Sequence, residues 1–190
     1  MNKRTLDLLN EIEGRIESLR HNSNYVDNEY VKICINEAIL AAKEGNFGVG
    51  AILLNEKGKI VQKGHNRAFN PHYRSDLHAE MDVLTNFEEQ NKNIETTYGY
   101  ILYTSLEPCP MCFTRLICSG VSKVFYVAED NIGGMVHLRN NMPQIWREFA
   151  EKLEFKKANC SKELKDMALE VWELTLEEAN KKFLKRQKPK

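Results

Sequence analysis

The sequence predicts an α/β protein: a central mixed sheet with helices on both faces, a three-layer α/β/α sandwich. Three observations predict it. Apolar residues switch along the chain between a helical period and short β-rich runs. After a first helix, the elements read helix, hairpin, helix, strand, helix, strand, helix, the order of layered α/β proteins. A length of 190 residues suits one compact domain with terminal elaborations.

Each element has a local reason. Leu6, Leu9, Ile12, Ile16 and Leu19 share one face of a first helix. Its stripe suits packing on its own domain or on a partner subunit equally. His21 to Asp27 is polar and turn-like. Val31, Cys34, Ile35, Ala38, Ala41 and Ala42 stripe a second helix, with Gly45 as its stop. The period then changes. Val49 to Leu54 is β-rich, Asn55-Glu56-Lys57-Gly58 is a turn signal, and Lys59 to Lys63 returns as a strand. Gly64 to Leu77 contains Pro71 and few aliphatics and reads as a loop. His78 to Glu88 is helical, with Met81 and Leu84 facing inward. Tyr98 to Thr104 is a third strand, Pro108 precedes a helix ending near Gly120, and Val121 to Ala128 is a fourth strand. Beyond a loop with Gly133 and Gly134 come a helix around Gln144 to Leu153, a short strand at Leu153 to Lys157, and a long helix from Ser161 towards Phe183. Trp146, Phe149 and Leu153 share a face that reads as core, with contact between Trp146 and a substrate as the lesser reading.

Charge and composition exclude several classes. Lys plus Arg and Asp plus Glu number 27 each, so the formal net charge is zero. Residues 181–190 hold five Lys, one Arg and no acid, which is +6 and leaves −6 on residues 1–180. A body of that sign argues against a broad nucleic-acid-binding face, and the Lys-rich end reads as a solvated, frayed helix terminus. No uncharged apolar run approaches the ~18 residues that span a bilayer, so no membrane partner is expected. Met1 to Arg20 has no apolar segment of signal type, and the protein is expected in the cytoplasm. In a reducing compartment, five cysteines are expected as free thiols or metal ligands. Cys34 and Cys118 fit apolar positions and read as inert core thiols.

The chemistry is concentrated in two short segments. His78-Ala79-Glu80 opens one predicted helix, and Pro108-Cys109-Pro110-Met111-Cys112 opens another. Cysteines at i and i+3 in a first helical turn point the same way and can bite one ion. Zn²⁺ favours thiolate and imidazole, and the positive end of the helix dipole helps keep the sulfurs deprotonated. Pro108 suits the start of that turn, because its missing N–H would be unpaired there. With His78 as third ligand, one corner of the ion stays open, the arrangement of catalytic zinc, whose bound water is acidified to a pKa of ~7. Glu80 is placed to move that water's proton, a role worth ~10²–10⁴ in rate. A structural zinc site would need a fourth Cys or His, for which His65, His72, His137 and Cys118 are the candidates. None has the spacing of a second zinc half-site.

These residues, with Phe47-Gly48-Val49-Gly50-Ala51, Gly64-His65-Asn66 and Tyr103-Thr104-Ser105-Leu106-Glu107, resemble the zinc-dependent cytidine and deoxycytidylate deaminase superfamily over roughly residues 28–130. The resemblance implies a five-stranded mixed sheet sandwiched by helices and one zinc per chain, held by His78, Cys109 and Cys112. It implies Glu80 as the proton shuttle and substrate contacts from Asn66, the Ala79 backbone N–H and Phe47. The implied reaction is hydrolysis of an exocyclic amine on a nucleobase or nucleoside, with release of ammonia. Its domains would be residues 1–24 as an amino-terminal helical extension, 25–160 as the deaminase domain, and 161–190 as a carboxy-terminal helix and basic tail.

Among branches, Glu107 to Cys112 and Val124 to Ala128 look most like guanine deaminases, making guanine or a related purine the expected substrate. Those enzymes usually carry an acidic cluster after the fourth strand that contacts the base. Here Asn131 to His137 holds no acid, and Glu129 and Asp130 are the available substitutes. Gly64-His65-Asn66 is also similar to fungal-type cytosine deaminase. The tRNA-editing adenosine deaminases share the core motifs but would need a basic groove for RNA, so nucleic acid is the lesser partner. The family often pairs subunits, so a homodimer is expected. Phe69 and Tyr73 can stack on a base or cap the core, and Asp76 can orient His78 or cap its helix.

Overall fold

The computed structural model describes residues 2–187. Its sheet has five strands in the order β2-β1-β3-β4-β5. They are β1 (Gly50–Leu54), β2 (Ile60–His65), β3 (Ile101–Leu106), β4 (Lys123–Ala128) and β5 (Glu154–Lys157). β1 runs antiparallel to both β2 and β3, whereas β3, β4 and β5 are mutually parallel. β2 through β5 therefore all point one way, and the strand ends that follow them share an edge with the start of β1. The sheet is mixed, as the sequence predicts.

Six α-helices cover it: α1 (Lys3–Ser18), α2 (Asn28–Lys43), α3 (Ala79–Gln90), α4 (Pro110–Ser119), α5 (Gln144–Ala150) and α6 (Lys162–Arg186). α2 and α6 pack together on one face, with α1 against both of them, and α3 and α4 contact each other across the sheet. The amino-terminal helix thus packs on its own domain. Leu9, Ile12 and Ile16, spaced three and four apart, are the residues that it buries. They join a main core with Ile35, Ile39, Leu53, Leu102 and Leu164. Asn2 starts α1 by accepting a hydrogen bond from the Thr5 N–H at 2.8 Å. Gly45, at φ +81°, stops α2 in the left-handed region that the sequence suggests.

Several boundaries differ from the sequence reading. β2 continues through Gly64 and His65, which pair with Ala51 and Gly50 instead of opening the loop. β3 begins at Ile101, because Gly99 turns at φ +87° and Tyr98 is exposed. α5 ends at Ala150, so Leu153 is not on its face with Trp146. Trp146 packs instead on a second cluster of Phe113, Ile117, Tyr126, Val136 and Ala150. Cys118 is exposed, not core, since it lies on the outer side of α4's last turn. Lys182 and Arg186 are docked rather than frayed: their side chains donate to Gly45 O at 2.7 Å and to Ala68 O at 2.6 Å. The last residues of the basic tail, 188–190, lie outside the described residues.

Because α1 buries Ile12 completely, Ile12→Ala is expected to lower unfolding stability by ~2–5 kcal/mol. Urea denaturation measures it, and an unchanged midpoint would mean that α1 is a detachable arm.

Candidate active site

The site grows from the strand ends gathered at one edge. Phe47 and Val49 precede β1, Asn66 follows β2, Glu107 and Cys109 follow β3, and Asp130 follows β4. All six line one cavity of about 260 Å³, with His78, Glu80 and Cys112. Open α/β sheets bind ligands at such an edge, where helix amino termini face the crevice.

Two helix starts meet there. His78 is the residue immediately before α3, and Cys109 the residue immediately before α4, both with extended backbone. Each side chain therefore leaves its helix at the positive end. Pro110, not Pro108, takes the first helical position, where no N–H is needed. One ligand atom from each of His78, Cys109 and Cys112 lies within 4.8 Å of the other two. Three corners of one tetrahedral zinc, at bonds of ~2.0–2.3 Å, fit that spread. None of the four sequence candidates joins the group, among the described residues. His65 sits between Glu37 and Glu44, and His137 sits on Glu107.

The electrostatics favour a cation. A hydrogen bond from Cys112, with His78 close by, draws the Cys109 thiol down to about 4 against the opposing effect of burial. Cys112 keeps the shared proton and is pushed well up by that bond and by burial. For His78, burial disfavours the charged form, but contact with Cys109 at 3.5 Å outweighs it and raises its pKa. Glu80 is buried and accepts a hydrogen bond from Thr104 Oγ1 at 3.2 Å. Burial first, and then the charge on Cys109, push its carboxyl upward.

The expected substrate contacts divide. Asn66 is buried, and its Oδ1 accepts the Ala68 N–H at 3.1 Å, leaving its amide nitrogen for a ligand acceptor. Phe47 lines the cavity and is tilted against Phe69, with centroids 5.5 Å apart. The Ala79 side chain is fully buried, so only its backbone N–H, at the first position of α3, is left to offer. Phe69 packs behind Phe47 under Arg186, and Tyr73 also stacks on that guanidinium. Asp76 takes neither expected role, because both its oxygens accept from Arg74. Of the two acids after β4, Glu129 pairs outward with Lys157, and Asp130 reaches the cavity.

The sequence reading missed Glu107 and the α6 residues Trp172, Leu176 and Asn180, all lining the cavity. Glu107 organises the loop that carries Asp130. Its Oε1 accepts from the N–H and Nδ1 of His137 at 3.0 and 2.8 Å, and its Oε2 accepts the Asp130 N–H at 3.2 Å. A Cβ on Gly134 would stand 2.5 Å from Asp130 O and 2.6 Å from Glu107 Cδ, so only glycine closes this loop.

The cytidine and deoxycytidylate deaminase zinc-binding region matches this chain over residues 24–128. The chain belongs to that family. The family is zinc-dependent, and the cluster of His78, Cys109 and Cys112 is the potential zinc site of this chain. A tRNA-specific adenosine deaminase of Bacillus subtilis (strain 168) is 39% identical over 110 residues, covering 57% of this chain. That alignment spans 65% of the relative, just under two thirds of its length. A solved structure from a study of A-to-I editing by tRNA A34 deaminases superposes with a TM-score of 0.61 at 22% identity, over 75% of this chain and 98% of that one. A guanine deaminase of Nitrosomonas europaea gives 0.58 at 19% identity, over 83% and 90%. At those identities the two structures show the shared fold, the cytidine deaminase-like sandwich.

One histidine beside the cavity is drawn towards its charged form. Burial opposes charging of His65, but its bonds to Glu37 and Glu44, at 3.0 and 3.1 Å, win and raise its pKa. The bond to His65 lowers Glu37. A raised folded-state histidine stabilises fully below its unfolded value of ~6.5 and loses that contribution as pH climbs through the folded value. The stability advantage over His65→Gln should therefore be complete below about pH 6 and shrink as the pH rises above it. Melting curves across that range test this, and a gap that is flat or widens contradicts an ionised pair.

Proposed function

We propose that this chain is a zinc-dependent hydrolytic deaminase of a nucleobase or nucleoside, with guanine or a related purine as the best substrate. The observation that carries the proposal is Glu80, a buried carboxyl lining the same cavity as the His78, Cys109 and Cys112 cluster. Zinc held there supplies a Lewis acid that makes water acidic enough to attack at neutral pH. Glu80 takes the proton as water adds to the ring carbon, and returns it to the departing amine. The new C–O bond forms, the exocyclic C–N bond breaks, and ammonia leaves. Catalytic benefit requires groups that favour the tetrahedral carbon over the flat ring, and a zinc beside a buried carboxyl would do so.

A purine presents both ring acceptors and N–H donors. The free amide nitrogen of Asn66 suits the acceptors, with the Ala79 N–H beside it, and the Asp130 carboxylate suits the donors. Phe47 gives the ring an aromatic neighbour. The likeness to tRNA-specific adenosine deaminases supports a second reading, adenosine in a tRNA loop. For the assembly we propose a homodimer. Ile132, Leu138, Ile145 and Phe149 leave apolar surface exposed after β4. All five cysteines are free thiols, in keeping with the reducing cytoplasm proposed as its location.

Glu80→Gln should retain zinc and fold while losing turnover by ~10²–10⁴. Ammonia release from guanine, adenine, cytosine, cytidine, deoxycytidine monophosphate, pterins and a tRNA stem-loop measures it. Unimpaired release from that variant would refute the role of Glu80.

A further inference from the structure

The cavity over the metal ligands is closed on one side by α6, which lies beyond the residues of the family match. That helix presents two adjacent stripes. Leu164, Val171, Thr175 and Ala179 are buried in the core. Beside them Trp172, Leu176 and Asn180, each four residues apart and so on one helix face, line the cavity. We infer, resting on the deaminase reading above, that these three side chains are the specificity-determining wall of the site. They confine it to a free nucleobase and exclude the ribose of a nucleoside or a tRNA.

The wall is fixed in place. The buried Gly48 N–H donates to Thr175 Oγ1 at 2.9 Å, tying the middle of α6 to the loop that carries Phe47. A Cβ on Gly48 would come within 2.6 Å of Val171 O, so helix backbone and loop backbone are in direct contact. Towards the end of α6, Lys182 holds Gly45 O, and Arg186 holds Ala68 O. The Arg186 guanidinium also lies 4.5 Å from the Phe69 ring centroid and 3.8 Å from that of Tyr73. These attachments reach both the 45–48 and the 68–73 segments, so Trp172 to Asn180 cannot swing aside without breaking buried or charge-assisted bonds.

The chemistry of the wall agrees with that restriction. A planar base with its amine at the zinc cluster would lie along the wall, and an attached sugar would have to pass it. Trp172 and Leu176, half-buried, give an apolar and aromatic surface to a ring face, and Asn180, exposed at the rim, offers an amide to its polar edge.

Two measurements on zinc-loaded full-length protein test the wall. In the first, ammonia is followed from guanine, adenine and cytosine, from their nucleosides, and from a tRNA stem-loop. The best free base should exceed its nucleoside by at least ~100-fold in kcat/KM, and Leu176→Ala or Trp172→Ala should narrow that ratio at least ~10-fold, with Trp172→Phe restoring it. A nucleoside or stem-loop turned over within about tenfold of the best base overturns the wall. So does a ratio that the folded truncations leave unmoved. The second measurement needs no truncation of α6. The chain has 2 tryptophans, so in Trp146→Phe protein the emission comes from Trp172 alone. A purine base should quench that emission, and its nucleoside should not. Equal quenching by both overturns the wall. Selective quenching by the base with no ammonia from any compound keeps the wall and overturns the deaminase reading instead.

Discussion

Two helices begin at the same point in space, and the site depends on it. Antiparallel pairing of β1 with β2 and β3, and parallel pairing of β3 with β4, bring four strand ends to one edge. α3 and α4 both start from that edge, so two positive helix termini face the same small volume. The Cys109 thiolate is stabilised there and imidazole is held beside it, which suits a divalent cation. If the register of β3 slipped by one residue, every side chain on it would change face. The Cys109–Cys112 pair would then no longer meet His78.

Charge in this edge is buried, and burial is costly without compensation. The compensation is visible residue by residue. Cys109 takes negative charge with Cys112 and His78 as donors. Glu80, shut away from water beside Thr104 and Cys112, is pushed towards its neutral form by burial and by the charge on Cys109. A carboxyl raised in this way is a stronger base than an exposed glutamate. Glu107 shows the opposite solution. It is equally buried, but its two oxygens are both occupied by donors of the 130–137 loop, so it serves as an anchor.

The rest of the cavity comes from residues whose role is set by contact rather than by motif. α6 supplies a whole wall from the carboxy-terminal part of the chain, and it is held by bonds to segments more than 100 residues earlier, with sequence separations of 127 for Gly48–Thr175 and 118 for Ala68–Arg186. Such long-range pegs set the lining of the mouth apart from the two short motif segments that build the metal cluster.

By itself the sequence determined the element order, the mixed sheet and the metal cluster, because periodicity and the His-x-Glu and Cys-x-x-Cys spacings are local properties. A histidine and two cysteines at helix starts have few other uses together. The sequence left other features undecided. The first helix has the same stripe whether it packs on its own chain or on another, and only the contacts with α2 and α6 chose. Asp76 and Asp130 look alike in sequence, yet Arg74 captures one, while the other, held by the Ile132 and Gly133 N–H groups, lines the cavity. Trp146 and Trp172 are both helical tryptophans beside apolar neighbours, and which of them meets a ligand depends on where the helix crosses the sheet. These choices rest on distances between residues far apart in the chain, and only the folded arrangement sets them.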